Sequence, residues 1–168
     1  KEYTSGRIRT FTKLDFTYGR VDIRAKMPSK GGTWPALWML GSNYQSIDWP
    51  ACGEADILEH TGNNVNRVQA TVHYPQRHAG NGDTAITNDY SDVTTNFHVY
   101  SVVWTPQALT FYVDDEPYHV VGNSCALPFN WNFYIILNVA MGGDMGGEIA
   151  SDFNFDTMEV DYVRVYQE

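Results

Sequence analysis

Several scarcities narrow what this 168-residue chain can be. Cysteine is scarce: Cys52 and Cys125 are the two present, too few for a disulfide framework, compatible with one bridge or none, and without the C-x-x-C spacing of a zinc site. No run of about 18 apolar residues occurs, so no segment reads as a membrane-spanning helix. Basic charge is short as well. Eleven Lys and Arg stand against 20 Asp and Glu, a formal charge of −9, which argues against nucleic acid or an anionic membrane as partner and suits a neutral ligand better. Nor does any long segment carry the 3.6-residue period of an amphipathic helix.

What the chain has in quantity is aromatic and strand-forming sequence. Eleven Tyr, eight Phe and five Trp offer flat apolar faces for packing or for stacking a ligand. The dominant period is two. In residues 19–27, GRVDIRAKM, Val21, Ile23, Ala25 and Met27 alternate with Arg20, Asp22, Arg24 and Lys26, which predicts a strand with one dry and one wet side. Residues 97–104 and 109–113 are β-branched and aromatic, and Asp114-Asp115 reads as the turn of a hairpin over 108–121. Residues 133–141, FYIILNVAM, are apolar on both faces, as in a strand covered on both sides. A last strand is expected over 158–166. Glycine pairs and Gly-Asn clusters at 31–32, 62–64, 80–82 and 142–143 mark turns between these runs. The expectation is all-β: one domain over 1–168, two packed antiparallel sheets in a β-sandwich or jelly roll. A domain of this size buries roughly 68–70% of its unfolded surface, enough for a full core.

Within this pattern, residues 53–60, GEADILEH, set three acids into an apolar run. On a regular strand Glu54 and Asp56 share a face, and Glu59, five positions on, falls on the other. A β-bulge near Ile57 or Leu58 resets the alternation and brings all three carboxylates to one side, a device common beside active sites. The plainer alternative is a solvated edge strand with its acids in water. Acids that serve solubility need no such phase.

Those residues resemble the G-E-I-D-I-x-E-H signature of glycoside hydrolase family 16, in the bulged form of its β-1,3-glucanases (laminarinases). The likeness continues in order through YTSGRIRT, YGRVDIRAKMP, GTWPALWMLG, TVHY, FHVYSVVWTP, LNVAMGG and VDYVRVY. It implies a β-sandwich jelly roll with a substrate cleft on its concave face, acting as a retaining endo-hydrolase of β-1,3-glucan. Glu54 would be the nucleophile, Glu59 the general acid/base and Asp56 the assistant between them. A retaining mechanism needs two carboxyl groups about 5–5.5 Å apart, and neighbouring negative charge would hold the proton on Glu59.

The resemblance also assigns substrate-binding roles to Trp34 and Trp38, which share a side of an extended segment, and to His73 and Arg7. On residue type alone the two tryptophans could be core, His73 structural and Arg7 an ion-pair partner. Asn138 and Gly142-Gly143 are expected to pack and turn. No cofactor is implied for catalysis. A structural calcium is implied, with Asp161 at a ligand position, although a hard cation wants six to eight oxygens. Two smaller departures are Ala55, expected to face away from the cleft, and Tyr74.

A larger departure is that the family domain normally begins well before SGRI, so Lys1 reads as a mid-domain start and a complementing N-terminal segment as an expected partner beside the polysaccharide. Export to the cell surface, periplasm or medium follows from where polymeric glucans are met. Two alternatives stand beside this reading: a non-catalytic β-glucan-binding module, and the same chemistry on mixed-linkage glucan, agar or carrageenan. Retention of all three acids argues against the first. Net negative charge and the bulged spacing argue against the second.

Overall fold

Alternation at residues 19–27 resolves into strand β2 (Gly19–Lys26), whose Val21, Ile23 and Ala25, with Met27 just beyond it, are at most 2% exposed. The computed structural model describes residues 2–167, and the other strands form on the same logic. In chain order they are β1 (Arg7–Arg9), β3 (Thr33–Gly41), β4 (Glu54–Thr61), β5 (Asn64–His73), β6 (Asp83–Thr87), β7 (His98–Trp104), β8 (Ala108–Val113), β9 (Glu116–Gly122), β10 (Phe133–Met141) and β11 (Glu159–Tyr166). One short helix, α1 (Gly143–Gly146), follows β10. Asp114 and Asp115 take positive φ, 50° and 66°, which lets the tight β8–β9 turn match the strands' twist.

The strands form a six-stranded sheet ordered β1-β10-β3-β4-β5-β6 and a five-stranded sheet ordered β11-β2-β7-β8-β9. All pairings are antiparallel. Between the sheets lies one apolar core in which Val21 and Ile23 of β2, Tyr100 and Trp104 of β7 and Phe111 of β8 meet Leu37, Met39, Ile57 and Leu58. Strand β10 is covered on both faces over its first half. Phe133, Ile135 and Leu137 enter the core, while Tyr134 and Ile136 join Leu40 and Cys52 in a second cluster on the outer face, with Phe11, Trp38, Tyr44 and Ile47 against it.

The two sides of the sandwich differ. At one, β6 and β9 approach and His119 Nε2 donates to the Asp83 carbonyl (3.0 Å). At the other, β1 and β11 end their sheets with Ile8, Val163 and Tyr166 exposed, and Phe155 beside them. Cys52 is buried, Cys125 exposed, and both are free thiols, so the structure has no bridge between them. Among the described residues no helix is long and apolar enough to cross a membrane.

Candidate active site

The acid strand β4 carries the bulge that its spacing requires. Against β3 the register runs Ala36 to Glu59 and Leu37 to Leu58, then Trp38 to Asp56, leaving Ile57 as the extra residue. On the other side Asp56 pairs with Thr71 and Glu59 with Gln69, so Ile57 and Leu58 face the single residue Ala70. Ala55, Ile57 and Leu58 consequently all enter the core at 0% exposure, and Glu54, Asp56 and Glu59 turn to the outer face of the six-stranded sheet. Gly53 makes the entry possible. Its φ is +80°, and a Cβ there would lie 2.8 Å from both the Phe133 ring and the Pro128 carbonyl oxygen, a close approach that only glycine accepts without strain.

Glu54 and Glu59 line a cavity of about 540 Å³ together with Trp34, Trp49, Gln69 and His73. Asp56 lies beneath it, 3% exposed. Trp49 Nε1 donates to Glu54 Oε2 (2.6 Å), and His73 Nε2 stands 3.2 Å from Asp56 Oδ2. At the other end of the strand Glu59 accepts from Trp34 Nε1 at Oε1 (3.1 Å), and from Gln69 Nε2 (3.0 Å) and Thr71 Oγ1 (3.4 Å) at Oε2.

These surroundings perturb the acids unequally. Burial, reinforced by the charge of Asp56, pushes the Glu54 carboxyl up to about 8. Burial, reinforced by Glu59, raises Asp56 well above the ordinary aspartate range. Burial and mutual repulsion act in the same direction at Glu54 and Asp56, and together they favour a proton on that pair.

The remaining sequence-derived residues separate. His73 and Trp34 join the acids. Trp38 shares the cleft face of β3, but its Nε1 donates to Asn138 Oδ1 (2.8 Å), its ring packs on the second cluster, and the Arg7 guanidinium sits 4.9 Å from the ring centroid. Trp38 and Arg7 thus form a stacked pair beside the cavity. Asn138 packs, as expected, and Gly142 and Gly143 make a turn with positive φ, 65° and 76°. Asp161 is remote, on β11. It is half exposed, and its carboxylate accepts from Arg24 Nη1 (2.7 Å).

Among the described residues the cluster with metal-ligating spacing is Glu54, Asp56 and His73, whose donor atoms lie within 4.8 Å of one another. Asp161 joins no such group, so the described carboxylates do not assemble the oxygen cage a hard cation needs there.

Trp49, Gln69 and Thr71 were not expected. For the last two the signal was present as alternation: Arg67, Gln69, Thr71 and His73 occupy one face of β5 at period two, opposite the acids. Trp49 comes from an irregular loop, where no period points to it.

Comparison with known proteins agrees with this geometry. A β-glucanase of Rhodothermus marinus is 40% identical over 181 residues, covering 99% of this chain and 63% of that protein. A glucan endo-1,3-β-glucosidase A1 of Niallia circulans is 41% identical, covering 99% of this chain and 27% of that protein. The chain therefore spans less than two thirds of either relative. The crystal structure of a Flavobacterium laminarinase superposes with a TM-score of 0.91 at 36% identity, covering 96% of this chain and 72% of the other. The pattern of the glycosyl hydrolases family 16 matches residues 1–164, and with the bulged acid strand, the two-sheet fold and these relatives in agreement, the chain belongs to that family.

Proposed function

We propose that this chain is a catalytic domain that hydrolyses β-1,3-glucan internally with retention of anomeric configuration. The observation that carries the reading is the Ile57 bulge, which gives Glu54 and Glu59 a common cavity edged by Trp34 and Trp49. The aromatic faces of Trp34 and Trp49 suit a neutral sugar chain, as does the formal charge of −9.

In the proposed reaction Glu54 attacks the anomeric carbon as Glu59 protonates the glycosidic oxygen, and the leaving sugar departs with that proton. Water then attacks the glycosyl-enzyme, Glu59 takes its proton, and Glu54 is released. Glu54 must be an anion to attack. The proton favoured on the buried pair therefore resides on Asp56 at that moment, where it hydrogen-bonds the nucleophile and leaves it charged. His73, against Asp56, holds that carboxyl in place. Catalysis in this scheme uses side chains alone.

The same reading takes the polymer to be met outside the cell, so the domain acts after export. It also takes a complementing N-terminal segment to pair at the open side of the sandwich, where Ile8 and Val163 are exposed. Incubation with laminarin, lichenan, agarose and carrageenan, with product sizing and NMR of the first-formed anomer, tests the proposal. Short β-anomeric oligosaccharides from laminarin support it. Binding without cleavage would favour a recognition module, and α-anomers would exclude the double displacement.

A further inference from the structure

Each acid of β4 has a partner on β5: His73 lies opposite Glu54, Thr71 opposite Asp56 and Gln69 opposite Glu59. The partner of Glu59 has its orientation dictated by a charged neighbour. Gln69 is 7% exposed, and its amide could face either way were it not for Arg67, two residues earlier on the same face. The Arg67 guanidinium has only donors to offer, and it donates to Gln69 Oε1. That contact turns the amide nitrogen inward, where it donates to Glu59 Oε2 (3.0 Å) and to Thr71 Oγ1 (3.0 Å). Thr71 adds its own hydroxyl to the same Glu59 oxygen (3.4 Å).

The two oxygens of Glu59 are thereby made different. Oε2 is engaged as an acceptor by two groups on β5, whereas Oε1, at the cavity, accepts among the described residues from the Trp34 indole alone (3.1 Å). Of two carboxyl oxygens the one that accepts from two donors is the poorer place for a proton, and a general acid must hold its proton on the atom that meets the leaving oxygen.

We infer that Gln69, oriented by Arg67, is a positioning residue that reserves Glu59 Oε2 as an acceptor and so presents the catalytic proton on Oε1. This rests on the proposed acid/base role of Glu59. Removing the amide leaves Glu59 free to rotate or to carry its proton on the wrong oxygen. Steps that need protonation of the leaving group then suffer, and steps that do not are spared.

The experiment compares two substrates in Gln69→Ala and Arg67→Ala. Laminarin has a poor leaving group that must be protonated. In a 2,4-dinitrophenyl β-laminaribioside the phenolate departs unprotonated, and its pre-steady-state burst reports the first step alone. Gln69→Ala is expected to lower kcat on laminarin by roughly 10²-fold, the lower end of what general acid catalysis supplies, with the burst rate unchanged within about threefold. Arg67→Ala should show the same split at smaller size, and Gln69→Asn, whose amide is too short to span both partners, should not restore laminarin turnover.

An equal fall on both substrates would make Gln69 a structural residue and overturn the inference, as would no fall on either. If Gln69→Ala fails to fold, the split in Arg67→Ala decides alone, since that side chain is only half buried. Glu59→Ala run in parallel separates the two levels. Should it fail to show the split, the role of Glu59 is wrong rather than the role of Gln69.

Discussion

The two ends of the acid strand are five residues apart and are treated by the fold in opposite ways. Glu54 sits where burial dominates, with one donor from Trp49, a carboxyl neighbour in Asp56 and an upward shift to about 8. Glu59 is more deeply buried, at 8% exposure, yet Trp34, Gln69 and Thr71 all donate to it. The two ends thus differ in what the fold supplies to a buried carboxyl, one donor at Glu54 and three at Glu59. The bulge creates the asymmetry, because it places Glu59 opposite Gln69, with the Asp56–Thr71 pair next along the strand. One residue of register difference gives the two acids different hydrogen-bond surroundings.

The largest expected effect breaks the comparison at the Glu54 end. Glu54→Gln should bring hydrolysis of laminarin to the detection limit while leaving oligosaccharide affinity close to that of the parent, since a nucleophile acts in the transition state and contributes little to ground-state binding. Near-normal turnover in this variant would exclude the assignment. At the opposite end, Glu59→Ala should be rescued by azide, which attacks the glycosyl-enzyme without a general base and leaves a β-glycosyl azide. An α-azide would mean that the two residues have exchanged roles.

A pH titration sharpens the same contrast. The folded-state value for Glu54 of about 8 lies above its ordinary 4.5, so between these limits the folded protein binds more protons than the unfolded chain. Stability should accordingly fall as pH rises from about 4.5 to 8, the reverse of the usual salt-bridged carboxylate, and Glu54→Gln should flatten the slope. In activity, an anionic nucleophile is lost on acidification, so the acid limb of kcat/KM should lie above the ordinary carboxylate range. A midpoint near 4.5, with no slope in melting temperature across the window, would remove the asymmetry.

Much of this was legible in the sequence, and the reasons are local. Alternation in 19–27 and the apolar run 133–141 report burial directly, so β2 and β10 could be read residue by residue. The bulge was legible because three acids at spacings of two and three cannot otherwise share a face. Legibility stops where a contact depends on register between distant segments. That Arg7 covers Trp38 rather than reaching the cavity follows from Arg7 pairing with Asn138 on β10, 131 positions away. The donors around Glu59 were out of reach for a similar reason: they come from β3 and β5, and no spacing within β4 reveals them.

The tryptophans extend the comparison from electrostatics to binding. Trp34 opens into the acid cavity, whereas Trp38 is tied to Asn138, Arg7 and the second cluster. Trp34→Ala in a Glu54→Gln background should weaken oligosaccharide binding by roughly 1–3 kcal/mol, the scale of a large apolar face. Trp38→Ala should instead lower the melting temperature, with a smaller effect on affinity. Calorimetry and thermal unfolding on the pair would decide, and equal losses of affinity would return Trp38 to the cleft.

The smallest effect is expected on the other sheet, and it tests what kind of site Asp161 occupies. Its carboxylate is half exposed and accepts from Arg24, itself partly exposed, an arrangement worth about 0–1 kcal/mol once solvent screening and side-chain entropy are counted. Asp161 is also the extra residue where the β2–β11 register shifts, which accounts for its outward direction without any ligand. Asp161→Asn should therefore change stability by no more than about 1 kcal/mol, and Arg24→Gln by a similar amount. If the parent melted higher in calcium than in chelator and Asp161→Asn abolished that difference, the carboxylate would be a cation ligand, and its pairing with Arg24 would be what the ion displaces.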